Sequence, residues 1–240
     1  MILDINGVTK YFGGVQALSN VSVSFAKGEF SALVGPNGSG KTTLLNCISG
    51  LYRPDTGSIR FEDRLISELP PHRIYRLGLG RTFQISKVFN RLTVMDNLRI
   101  PALTEGKLNQ QEVRIRSLEI LKQIKLDNLT QINAENLSGG QRKLLELGMV
   151  LMTDPQILLL DEPFGGIHPE IKSELEDYLC LLNRNGKTII LVSHEMPSVF
   201  RICQRLVVLD HGNLLTEGPP ESVRTDERVI NAYLGGSHET

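Results

Sequence analysis

Gly35-Pro36-Asn37-Gly38-Ser39-Gly40-Lys41-Thr42 constrains this chain more than any other stretch, because of what flanks it. Before it, Phe30 to Val34 is a short apolar run of strand type. After it, Thr42 to Ile48 reads as a helix that stops near Gly50. Three glycines in such a turn let backbone amides converge on an anion, and the helix N-terminus adds its partial positive charge. Lys41 can then reach the β- and γ-phosphates of a nucleoside triphosphate. The Thr42 hydroxyl is the candidate Mg²⁺ ligand, and Thr43 follows in the same first turn.

The rest of the chain repeats the strand-then-helix pattern. Val21, Val23 and Phe25 alternate with Ser22 and Ser24, as expected of a half-exposed strand among several within 2–34, with a turn at Gly28-Glu29. Arg53 to Gly57 reads as a turn and Ser58 to Phe61 as a strand. From about 86 to 150 the pattern is helical, with Val113, Ile120, Leu121 and Ile124 on one face as ordinary core. Ile157 to Leu160 is a continuous apolar run, which suits a strand covered on both faces. A helix over about 169–184, a strand from Lys187 to Val192, a helix from Arg228 to Leu234 and a fraying polar tail complete the reading. Strands alternating with helices predict an α/β fold with a mainly parallel sheet.

Asp161-Glu162 ends the apolar run 157–160, where open α/β sheets bind ligands. Asp161 is the candidate to hold Mg²⁺, and Glu162 the candidate to orient and polarise an attacking water. The charge balance, 26 Lys and Arg against 27 Asp and Glu, gives no basic excess for nucleic acid. Cys47, Cys180 and Cys203 show no CxxC spacing and read as reduced cysteines. The start of the chain shows no signal-peptide pattern, and no run approaches the roughly 18 apolar residues of a membrane span. Work at a membrane would therefore go through a partner.

Leu137-Ser138-Gly139-Gly140-Gln141 supplies a second anion-binding pattern, a hydroxyl and free amides at the start of a helix. With the phosphate loop upstream and Asp161-Glu162 downstream, the chain resembles the ATP-binding subunits of ATP-binding cassette (ABC) transporters along essentially its whole length. The resemblance implies a P-loop NTPase (RecA-like) core. That core spans 1–85 and 151–218 and includes an N-terminal antiparallel β subdomain, with a helical signature subdomain over 86–150 and a C-terminal helix and tail over 219–240. It implies ATP and Mg²⁺ as ligands. Gln84 would link the core to the helical subdomain and touch the metal, His194 would be the switch histidine at the γ-phosphate, and Phe12 would stack on adenine beside Ala17. The signature, Ser138 to Gln141, would contact ATP held by a second subunit, identical or homologous, in a two-fold dimer. One position departs: His168 stands where the family commonly places Asp or Asn in the loop touching the opposite protomer, and a histidine cannot replace a fixed negative charge. His72, His211 and His238 have no comparable context.

The resemblance further implies transmembrane permease subunits docked around Gln84 and the helical subdomain, at the cytoplasmic face of the inner membrane. Gly78 to Gln84, Leu92 to Leu98 and Val229 to Gly235 look most like the branched-chain (hydrophobic) amino acid uptake systems, which also use a periplasmic binding protein. Urea importers and lipopolysaccharide exporters share much of that pattern. Soluble relatives acting in translation or DNA repair usually carry two cassettes or a long coiled-coil insertion, neither of which is present. A non-catalytic module would lack Lys41, Glu162 or His194, and all three are here.

Overall fold

The computed structural model describes residues 1–106 and 108–235, so the expected polar tail and His238 lie outside the described residues. The chain opens with two long strands, β1 (Leu3–Phe12) and β2 (Val15–Phe25), paired antiparallel around Gly13-Gly14. β3 (Phe30–Val34) then enters the centre of a different sheet and feeds α1 (Lys41–Ile48). β4 (Thr56–Phe61) and β5 (Arg64–Leu65) return to the first sheet, whose order is β2-β1-β4-β5. Thr56 and Gly57, read above as turn, belong to β4. Gly57 has φ 84°, and a side chain there would run into the Gly7 backbone, so the turn-type residue is a requirement of close strand packing.

After α2 (Pro71–Arg76) comes β6 (Leu79–Arg81), then α3 (Val94–Glu105), α4 (Gln110–Gln123) and α5 (Gly139–Leu151). The remainder alternates: β7 (Ile157–Asp161), α6 (Pro169–Arg184), β8 (Thr188–Val192), α7 (Met196–Ile202), β9 (Arg205–Asp210), β10 (Asn213–Gly218), α8 (Pro220–Arg224) and α9 (Glu227–Gly235). The second sheet runs β10-β9-β3-β8-β7-β6, parallel except for the edge strand β10.

Its central strands are buried along their whole length because each face meets a separate core. Phe30, Ala32 and Val34 point into one core, with Leu158, Leu160, Ile189, Leu191 and residues of α3 to α7. Leu33 points into the other with Leu159, Ile190, Val192, Leu44 and Leu45 of α1, and the apolar face of the first sheet. Side chains alternate across a strand, so a strand between two cores is apolar at nearly every position, with Ser31 in β3 and Thr188 and Asp161 at the strand ends as the polar members. The predicted stripe of α4 is buried as expected. Strands β6, β9 and β10 were not legible. β6 is three residues long and includes Gly80, whose missing side chain lets Val150 of α5 and Pro155 close over it. All three cysteines are free, with Cys47 and Cys203 buried.

Candidate functional site

The phosphate loop is shaped by backbone that only glycine adopts freely. Gly35, Gly38 and Gly40 have φ of 145°, 79° and 102°. A side chain at Gly35 would strike the Leu209 carbonyl oxygen of β9, and one at Gly40 would come within 2.7 Å of the Ala17 carbonyl oxygen of β2. The loop is thus wedged between two strands. The Lys41 ammonium folds back over it, donating to the carbonyl oxygens of Gly35 (2.8 Å) and Pro36 (2.7 Å) and to Ser39 Oγ (3.3 Å). Burial lowers the Lys41 pKa, opposed by the carboxylates of Glu162 and Asp161.

A cleft of about 240 Å³ opens beside the loop. It is lined by Asn37, Gly38, Gly40, Lys41, Thr42 and Thr43 of the loop and α1, together with Ala17, Gln84, Glu162 and Val192. The fold therefore gathers residues from β2, the loop, α1, the segment after β6 and the end of β7 around one anion-sized space. Phe12, at the end of β1, is half-exposed and meets the Tyr52 ring edge-on at 5.1 Å, with Lys10 Nζ 5.6 Å from its centroid. Tyr52 had no sequence signal as a neighbour of Phe12. At the far end of the chain, α9 brings the Tyr233 hydroxyl to the Gly35 backbone, and burial raises its pKa.

At the end of β7, Glu162 stands at φ 50°, a left-handed conformation that costs a non-glycine residue roughly 1–3 kcal/mol. Its backbone is tied on both sides: its N–H donates to the Val192 carbonyl (2.8 Å), and its carbonyl accepts from Lys143 Nζ (2.6 Å). Its carboxylate faces His194, with Oε2 2.9 Å from Nδ1 and 3.3 Å from the His194 amide. The His194 side chain is otherwise 69% exposed. Asp161 is buried and ion-paired to Arg81 of β6 at 3.4 Å. Burial raises the Asp161 pKa and lowers that of Arg81, each against the pull of the other's charge. Asp161 Oδ1 has no hydrogen-bond partner. An orphaned carboxylate oxygen next to Glu162 in the chain, with the Thr42 hydroxyl and the Gln84 amide lining the cleft, is a set of oxygen donors of the kind a hard cation takes, so these residues fit the expected Mg²⁺.

The segment carrying Gln84 is held by a residue that sequence reasoning missed. Glu146 of α5 is buried, and its Oε1 accepts from the amides of Phe83 (3.2 Å) and Lys87 (3.1 Å). A carboxylate inside the apolar run Leu144-Leu145-Glu146-Leu147 was the available clue. Burial lifts its pKa from 4.5 to about 7, against the two backbone hydrogen bonds and the charges of Lys143 and Lys87. The native state therefore holds a proton that the unfolded chain releases at lower pH. The associated stability is full below about pH 4.5 and is lost as pH rises through about 7. Denaturant titrations of the parent and Glu146→Gln across pH 5–8 should show the variant gaining relative stability with rising pH, on the order of 3 kcal/mol. A pH-independent difference would contradict this.

The signature lies apart from the cleft. Ser138 is the N-cap of α5: its Oγ accepts from the Gln141 amide (3.2 Å), and Gln141 Oε1 accepts from the Ser138 amide (2.9 Å), a reciprocal capping box. Gln141 is thereby engaged in capping, while the amides of Gly139 and Gly140, in the first turn of α5, have no intrahelical acceptor; Gly139 is exposed and Gly140 buried. His168 is the exposed N-cap residue of α6 and makes no side-chain cap.

Comparison with known proteins gives the family. The model of the ABC transporter family matches residues 18–165, and that of the branched-chain amino acid ATP-binding cassette transporter matches residues 213–239. The chain is 36% identical over 245 residues to the probable branched-chain amino acid transport ATP-binding protein LivG of Archaeoglobus fulgidus, covering 98% of this chain and 95% of the relative. It superposes on the ADP conformation of MJ1267, an ATP-binding cassette of an ABC transporter, with a TM-score of 0.89 and 33% identity over 98% of both chains. It also superposes on the dimeric post-hydrolysis state of the cassette MJ0796 bound to ADP and Pi, with a TM-score of 0.84 and 29% identity over 91% of this chain and 98% of that one.

Proposed function

The chain belongs to the ABC transporter family of ATP-hydrolysing subunits, and from that premise we propose that it powers the import of branched-chain amino acids. The carrying observation is the match of residues 213–239 to the branched-chain amino acid transporter model, a region outside the general ATPase motifs. The near full-length likeness to LivG supports the same reading.

The cleft supports the following roles. The loop amides and Lys41 bind the β- and γ-phosphates, releasing Lys41 from the carbonyls it now holds. Thr42, Gln84 and Asp161 are the residues to hold Mg²⁺, which when bound neutralises charge on the phosphates. Glu162 orients a water and accepts its proton, and His194 donates to the γ-phosphate as charge develops. Phe12 offers its exposed ring to adenine.

The outward-facing signature turn gains its use in a two-fold dimer, where it meets the nucleotide on the partner's phosphate loop. The dimeric cassette MJ0796 supports that arrangement. Residues 86–150 then act as a helical subdomain. Exposed Ile85 and Phe89, which follow Gln84 in the chain, offer apolar side chains to permease subunits at the cytoplasmic face of the membrane. Among the described residues no helix is long and apolar enough to cross a membrane itself. A periplasmic binding protein completes such a system.

Deleting the chain from its host should abolish uptake of labelled leucine, isoleucine and valine. Wild-type chain should restore it, and Lys41→Ala should not. Unchanged leucine uptake with loss of urea uptake or of lipopolysaccharide export would overturn the substrate assignment.

A further inference from the structure

Helix α5 is capped by its own Ser138 and is tied to other segments by two side chains about one turn apart: Lys143 donates to the Glu162 carbonyl at 2.6 Å, and Glu146 receives the amides of Phe83 and Lys87 on either side of Gln84. The Lys143 contact lies against the loop after β7, where Gly165 packs beside the ammonium and the Glu162 carbonyl. It also acts where the backbone most needs holding, since Glu162 sits at φ 50° with Val192 on one side and Lys143 on the other. An α-helix is a hydrogen-bonded rod, so a shift at Ser138 is carried to residues one and two turns further on.

We infer that α5 couples the signature turn to the chain's own Glu162. Lys143 is a positioning residue that carries displacement of the helix N-terminus to the Glu162 backbone, and Glu146 carries the same displacement to the segment bearing Gln84. Engagement of Ser138 by the partner's nucleotide thus sets the base in the protomer that owns Ser138. The route lies within one chain and requires no acidic residue at His168, the position where the loop to the opposite protomer departs from the family. The inference rests on the roles proposed above for Ser138 and Glu162.

Lys143→Met keeps the side-chain length and removes the ammonium. Steady-state phosphate release should show kcat reduced about 10-fold or more, the scale of losing a charge-assisted hydrogen bond, with KM for ATP unchanged. Lys143→Arg should recover part of the loss. Lys143→Gln, which keeps an uncharged donor, should fall between them and serves if the Met variant fails to fold. In a double-mutant cycle with Ser138→Ala, the combined loss in kcat should be smaller than the product of the two single losses, because both act along one path. An unchanged kcat, a loss of ATP affinity alongside turnover, or multiplicative losses would overturn the coupling. An inactive Glu162→Gln beside a fully active Lys143→Met removes the coupling and leaves the ATPase reading standing. A Glu162→Gln protein that turns over normally removes that reading instead.

Discussion

Glu162→Gln is expected to cut ATP turnover by at least about 100-fold, the usual range for losing a general base, while leaving ATP affinity within about twofold. The replacement is nearly isosteric. An amide oxygen can still accept from the His194 backbone amide now 3.3 Å from Oε2, so the strained turn at φ 50° keeps its neighbours. What disappears is the group able to take a proton from water. Lys41 and the loop amides are untouched, so nucleotide is bound and not consumed, and dimers closed around ATP should accumulate. Phosphate release, equilibrium ATP binding and size-exclusion chromatography with ATP measure the three consequences. Turnover within about tenfold of the parent would remove Glu162 from the role assigned to it.

Arg81→Met is expected to produce the largest loss of stability. The Arg81 and Asp161 side chains are 6% and 3% exposed, so their charges are compensated mainly by each other. The guanidinium also donates to Ser49 Oγ at 2.5 Å and lies 5.0 Å from the Phe83 ring centroid. Burial shifts both groups toward neutrality, which marks the pair as costly to bury. Removing one partner is worse, because it strands the other charge, at about 3–5 kcal/mol. For a chain of this size that corresponds to a fall in Tm of roughly 10 °C. Arg81→Met combined with Asp161→Asn removes both charges and should recover most of the stability, though not the metal site. A single variant that melts with the parent would mean that the buried ion pair adds no net stability.

Much of this was legible in order along the chain. The run 157–160 is apolar throughout because both faces of β7 meet a core, and the helix expected over 169–184 has those bounds in α6. The loop from Gly35 to Thr42 could be read because its function is local: glycine torsions, sequential amides and a helix start lie within a few residues. The short strand β6 was hidden because Gly80 looks like a turn residue until α5 is packed over it. Strand β9 carries an apolar run like that of β7, Leu206 to Leu209, but with no chemical motif at its end, and the edge strand β10 is only partly buried.

The sequence alone specified which chemistry is present: a phosphate loop, a carboxylate at the end of a buried strand, a capped helix with free amides, and a histidine after the next strand. Each depends on torsions and spacing within one element. Only the folded chain decides which of these groups meet. Arg81 reaches Asp161, Lys143 reaches Glu162, and Glu146 reaches Phe83 and Lys87, all across long stretches of sequence. Periodicity along a chain carries no information about which strand lies next to which, and a charge is strongly shifted only by what finally covers it. The strand order β3-β8-β7-β6 sets those neighbours, and with them how the base is held.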